Sequence, residues 1–314
     1  MASRGVRPAP RPKPSGKPFP LTFTDVAPRA GLTTPVVYGE EYIKKYIVEA
    51  NGPGIAFFDY DRDGWLDIFL VNGTRHEGFP RGQEPTNHLY HNNRDGTFTD
   101  VTEKAGLKHT GWGYGVCIGD YDNDGWLDLF HVTGTVHPEV EKVYPEYRFK
   151  TKRIVYENNG NGSFDEVSEL CGPAVLEPHA SRGCAFGDFD NDGNLDILVM
   201  NMSEPPSLLK NENRSGNHWL NVKLVGTRSN RSALGARVVV TAGGQRQIRE
   251  VLSGSSYISQ SDLRQHFGLG PTRKVDQVEV RWPSGQVEKV GGVEADQFVT
   301  IKEGRGLVKA ERYR

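Results

Sequence analysis

One acidic pattern occurs three times in this chain and limits what it can fold into. The first copy runs from Asp59 through Asp61, Asp63 and Gly64 to Asp67. The second runs from Asp120 through Asp122, Asp124 and Gly125 to Asp128, and the third from Asp188 through Asp190, Asp192 and Gly193 to Asp196. Each reads D-x-D-x-D-G-x-x-D. Four carboxylates so closely spaced repel one another unless a cation lies among them. A hard dication such as Ca²⁺ takes about six to eight oxygen ligands. Carboxylates at positions 1, 3, 5 and 9 can converge on one point if the chain wraps around it. The glycine at position 6 permits the sharp turn. Position 7 offers a backbone carbonyl, so its side chain is free to vary, as Trp65, Trp126 and Asn194 do. The predicted cofactor is Ca²⁺, about three ions, one for each loop.

These are not EF-hand loops. Position 12 of an EF-hand carries a bidentate Glu between two helices, and here it holds Leu70, His131 and Val199. The flanking stretches are short, apolar and rich in β-branched and aromatic residues, which predicts strands on both sides. An acidic Asp-Gly hairpin turn explains one such loop equally well; three in register favour the metal.

The loops belong to longer repeats. Leu21 to Leu32 recurs at Gly96 to Leu107, and more loosely at Gly162 to Gly172. No copy follows the third loop, which suggests that the first strand completes the last repeat. Each unit of about sixty residues holds two strands around the loop, a third ending in an Asn-rich stretch, and a fourth after a Gly turn. Four strands per unit is a propeller blade. Only three blades are recognisable, where closed propellers have about four to eight, so their edges need a cover.

The predicted fold class is all-β: three β-propeller-type blades and a small C-terminal antiparallel β-sandwich or barrel. Residues 1–20, rich in Pro and Arg, read as a disordered lead-in without a hydrophobic leader stretch. The blades are expected over 21–215 and the C-terminal domain over 216–303. Within the latter, alternation with period two predicts strands around Trp219, Gly235, Gln247 and Val275. Residues 304–314 read as a charged tail.

The formal net charge of −2 gives no basis for nucleic-acid binding, and no apolar run reaches membrane-span length. Cys117, Cys171 and Cys184 lack zinc or disulfide-framework spacing. Cys117 and Cys184, in apolar strands, read as buried small residues.

The loops with their Asn-Asn-x-Asp-Gly-Thr-Phe-Thr-Asp-Val continuation resemble FG-GAP/VCBS repeats. The stretches from Asn217 to Gly226, Asn230 to Val238, Ser261 to Gly270 and Val278 to Gly285 resemble an ASPIC/UnbV domain. Together they are similar to the cartilage acidic protein family, with its middle repeats lacking here. The resemblance implies a calcium-binding propeller, an extracellular or periplasmic setting, and a link to matrix and adhesion. A cytoplasmic setting stays open.

A second constellation comes from aligning the repeats. His76 and His137 stand at one position of neighbouring units, with Glu77, Glu139 and Glu204 nearby. Such a face could bind a transition metal or move protons; solvated loop residues are the plainer reading. Trp112 and Tyr114, and Tyr42, Tyr46, Tyr144 and Tyr147 in long loops, are aromatic candidates for sugar or protein contact, or core. No nucleophile, zincin or phosphate-loop motif occurs, and no catalytic residue is assigned.

The function expected first is a non-catalytic calcium-binding protein that presents loops to a protein or glycan. Two alternatives stand beside it: an enzyme of secondary metabolism using the His/Glu face, and an assembly module joining blade edges of several copies.

Overall fold

The computed structural model describes residues 23–41, 49, 52–135, 138–145 and 147–312. The predicted lead-in, residues 1–20, lies outside them. The chain is all-β, with 41% strand and 5% helix, arranged as a β-propeller of five sheets. Two more sheets are present than the three repeats announce, and both come from the C-terminal part.

The first sheet is an antiparallel meander of β1 (Ile55–Phe58), β2 (Asp67–Leu70), β3 (His88–Asn92) and β4 (Phe98–Asp100). The second repeats it with β5 (Gly113–Gly119), β6 (Asp128–Thr133), β7 (Ile154–Asn158) and β8 (Phe164–Glu166). The third has only β9 (Ser181–Gly187), β10 (Asp196–Asn201) and β11 (Ser207–Leu209). In each, an acidic loop joins the first two strands. Apolar side chains from adjacent sheets interlock between them. Phe58, Phe69 and Leu89 meet Leu129, Tyr156 and Phe164 in one core, and Phe130 and Val132 join Cys184 and Val199 in the next.

The expected closure by the N-terminal segment is not made. Phe98 N–H donates to Ala30 O, so residues near 30 lie on the outer strand of the first sheet instead. The packing repeats one blade further on. A Cβ on Gly31 would stand 2.8 Å from Phe98 O, and one on Gly106 would stand 2.8 Å from Phe164 O. The N-terminal segment thus occupies the outer-strand place of a preceding blade. Among the described residues no strand pairs with the outer side of β11, and Leu198, Met200 and Leu208, on β10 and β11, are about half exposed on one face of the third sheet.

The C-terminal part forms two four-stranded sheets. One has the order β15 (Gln265–Gly270), β12 (His218–Val225), β18 (Gln297–Lys302) and β19 (Gly306–Glu311). The other has the order β14 (Gln245–Glu250), β13 (Arg237–Ala242), β16 (Lys274–Arg281) and β17 (Val287–Glu294). Leu220, Val222, Phe267 and Ile301 from one pack on Val238, Val240, Val278 and Val280 from the other. Counted as sheets these are two further blades; their shared core makes them a sandwich as well. It is not purely antiparallel, because β12 and β18 run parallel. Most of the stretch read as a charged tail is β19, which pairs with β18 and completes that edge.

Candidate metal centres on three repeated loops

Each loop is built on the same backbone. Position 6 has φ of +92°, +94° and +92° at Gly64, Gly125 and Gly193, a left-handed region that favours glycine. Position 4 is left-handed too, at Arg62, Asn123 and Asn191. Two reversals within three residues fold the loop into a cup, and the carboxylates line it.

Oxygens of Asp59, Asp61 and Asp67 lie within 4.8 Å of one another. The same holds for Asp120, Asp122 and Asp128, and for Asp188, Asp190 and Asp196. The carboxylates of positions 1 and 9 are buried in all three loops. Position 5 stands at the rim, where Asp63, Asp124 and Asp192 each accept the N–H of position 7 through Oδ1. That bond holds Trp65, Trp126 and Asn194 in the turn. Asp63 also groups with Asp61 and His91.

Sequence reading missed the residues that hold position 9. An Asn at or just past the end of each third strand does so: Asn92 N–H donates to Asp67, and Asn158 N–H to Asp128, at 2.8 and 2.9 Å. Asn211 N–H donates to Asp196 at 2.8 Å. Their side-chain amides donate to the position 8 carbonyls of Leu66, Leu127 and Leu195. Asn158 and Asn211 also donate to Tyr60 O and Tyr121 O in the preceding loop, so each loop is pinned to the one before it. The recurrence of Asn after each third strand carried this signal.

The C-terminal sandwich sits on the loops. Arg237 donates to Gly64 O, and Gly268 N–H donates to Asp120 Oδ2 at 3.1 Å. Arg264 donates to Asp188 O and Asn191 Oδ1, and His266 Nε2 to Gly193 O. Arg62 lies 3.7 Å over the Trp126 ring, joining the first two loops.

The residues fit a hard cation. Every converging side chain supplies oxygen, apart from His91 at the first loop. Asp59 Oδ1 and Asp120 Oδ1 are buried without a hydrogen-bond partner, a costly state for an anionic oxygen unless a cation meets it. Burial pushes Asp59 up to about 6 and Asp67 up to about 7. It likewise pushes Asp124 and Asp188 up to about 6. Asp120 and Asp128 are raised as well, first by burial and then by the neighbouring carboxylates. These several acidic clusters could therefore hold metal ions.

The His/Glu face has no such geometry. His76 is buried, packed 5.0 Å from the Trp112 ring and 5.4 Å from Tyr144, with Tyr147 at its edge. Glu204 faces Lys150 and His179. Glu77 and Glu139 are exposed, and His137 lies outside the described residues. Among the described residues, none of these joins a metal-spaced group. Trp112 and Tyr114 are buried in the core, as are Cys117 and Cys184; Tyr42 and Tyr46 lie outside the described residues.

The comparisons with known proteins agree with this architecture. The family description "FG-GAP-like repeat" matches residues 59–131 and 150–199, and "ASPIC and UnbV" matches residues 226–308. Cartilage acidic protein 1 of Homo sapiens is 25% identical over 321 residues, covering 85% of this chain and 44% of the relative. The Mus musculus and Xenopus tropicalis proteins of that name are 26% and 27% identical, again over 85% of this chain and 37% of their own length. The chain thus spans about two fifths of the length of these curated relatives. Among the described residues no helix is long and apolar enough to cross a membrane. The chain is an FG-GAP-repeat protein with an ASPIC/UnbV domain, homologous to cartilage acidic protein 1 over most of its length.

Proposed function

We propose that this chain is a calcium-stabilised binding protein without catalysis, in which three ions fasten the blades and seat the ASPIC/UnbV sandwich on them. The observation that carries this reading is the pair of buried, unpartnered oxygens of Asp59 and Asp120, each inside a cup of three converging carboxylates. The side-chain ligands are Asp59, Asp61, Asp63 and Asp67; Asp120, Asp122, Asp124 and Asp128; and Asp188, Asp190, Asp192 and Asp196. The loops lack the bidentate Glu of tight EF-hand sites, so affinities of the extracellular type, about 10⁻⁴–10⁻³ M, suit them. This favours a setting outside the cytoplasm. The ligand presented to the exposed loops is a protein or a glycan.

The deciding experiment is a calcium titration of the melting temperature, with ions counted by native mass spectrometry. Three ions per chain and a Tm that rises with calcium are expected. A chain that melts identically in calcium and in chelator would sink the reading. The same spectrum addresses a second reading, assembly of copies over the third sheet, which its unpaired β11 side and the exposed apolar face of Leu198, Met200 and Leu208 favour. A defined oligomer supports that reading and a monomer removes it.

A further inference from the structure

The repeat symmetry that builds the metal loops also builds a cavity. Two residues before each first Asp stand Phe57, Ile118 and Phe186, and at position 8 stand Leu66, Leu127 and Leu195. All six line one cavity of about 390 Å³ between the blades and the sandwich. That volume lies within the usual range of small-molecule sites. Phe57 and Ile55 are each more than half exposed, on a first strand whose counterpart in the second blade is buried along almost its whole length. Their apolar faces look into the cavity and its mouth rather than into a core.

The remaining wall belongs to the sandwich and is polar. Arg249 lines it. Its guanidinium donates to Ile248 O and Gln247 Oε1, neither of them anionic. Among the described residues it has no carboxylate within ion-pair distance, whereas the neighbouring Arg264 is paired with Asp262. Asp59 and Asp120 also reach this wall, and each belongs to a metal cup. With cations in both cups, their charge is drawn to the metal. Arg249 then stands as a cation with unused donors beside six apolar side chains, and the remaining acids of the lining are Glu250 and Asp262, the latter paired with Arg264.

We propose that this cavity binds a small amphipathic carboxylate, its head on Arg249 and its apolar body against the repeated Phe/Ile and Leu positions. Arg suits a planar carboxylate because its fork can donate two parallel hydrogen bonds. The proposal rests on calcium filling the first two loops, so the two readings need separate signals.

The probe is sodium octanoate, titrated calorimetrically into the calcium-loaded full chain, with acetate and octanol as controls. Saturable binding of one octanoate per chain is expected, at least about tenfold tighter than either control, which lack the body or the charge. Arg249→Gln lowers that affinity about tenfold or more and leaves the calcium-dependent rise in Tm in place. If Arg249→Gln does not fold, Phe57→Glu serves instead. It puts a carboxylate at an exposed position of the cavity wall and is expected to abolish octanoate binding with calcium binding retained. Octanoate that fails to bind a chain shown to take up calcium overturns the cavity proposal alone. Binding that survives both substitutions overturns it too. A chain whose Tm ignores calcium overturns the metal reading, and this inference with it.

Discussion

The second and third loops share one pattern and have opposite surroundings. Immediately before the clamping Asn stands Glu157 beside the second loop and Lys210 beside the third. The Lys210 ammonium reaches Asp190, and it lies 3.5 Å from Asp192. It holds the Asp190 carboxyl below the usual range. The third loop therefore carries a built-in counter-ion. Glu157 instead adds negative charge near Asp124, where Arg62 opposes it without, among the described residues, an ion pair to the loop carboxylates. The first loop is intermediate, with His91 Nδ1 3.3 Å from Asp61 and Arg94 paired with Asp63. The same fold thus presents three grades of demand for a cation, set by residues outside the motif. A motif tells where a metal can go, and its neighbours tell how much the chain depends on it.

The comparison breaks most readily at position 3. In calcium, Asp122→Ala is expected to cost about 2.7 kcal/mol, the linkage value for a site held near a hundredfold above its Kd. In excess chelator the loss shrinks to about 0.5 kcal/mol. Asp190→Ala should cost less than half as much in calcium, because Lys210 competes for the third cup. Calorimetric unfolding measures both, and equal losses would erase the distinction between the loops.

Charge exchange sharpens it. Glu157→Lys should weaken the second site about tenfold, or about 1.4 kcal/mol, and stabilise the metal-free chain. Lys210→Glu should do the reverse at the third. Calcium titration by calorimetry reads both; an unchanged affinity in either variant would mean that these neighbours do not set it.

The pH dependence is a smaller effect with a fixed sign. Asp59, Asp124 and Asp188 are pushed up to about 6 and Asp67 to about 7, from an ordinary 3.8. A folded-state pKa above the unfolded one means that the native chain holds more protons between those values. Stability is then greatest below about 4 and is lost as pH rises through about 6 to 7. In chelator, Tm should fall from pH 4.5 to 7.5, as far as these groups govern it. In saturating calcium the fall should vanish or invert. A chelated chain that gains stability over that window would contradict the buried carboxylates.

The smallest contrast concerns the clamps. Asn158→Ala loses a donor to the preceding loop as well as to its own, whereas Asn92→Ala loses only the latter. The former should cost about 1 kcal/mol more, one net hydrogen bond. Denaturant unfolding resolves that difference.

How much was legible in the sequence follows from these residues. The twelve aspartates, the position 6 glycines and the flanking strands announce themselves by spacing, because local backbone geometry dictates them. The left-handed position 4 was half legible: Asn123 and Asn191 tolerate that region, whereas Arg62 gives no such cue. Asn158 and Asn211 were visible as a recurrence, but their acceptors lie in the preceding blade. Seating of the sandwich was not legible at all: Gly268 and Asp120 are 148 residues apart, and no periodicity joins them. His76 shows the opposite failure. Its alignment with His137 suggested chemistry, and the structure buries it among aromatic rings. The closing strand was misplaced because a repeat reveals which blade position a segment fills, not which neighbour it fills it for.

The amide of Asn158 on Tyr60 O has a consequence for how such chains change length. Each repeat brings both halves of a fastener: an Asn that reaches back and a carbonyl that the next Asn can use. Asn211 on Tyr121 O is the same fastener one unit on. A repeat duplicated between the first and second would arrive already equipped to join both. A repeat deleted would leave its neighbours with matching ends. The number of blades can therefore drift in a lineage by whole units, while the joints between them stay the same.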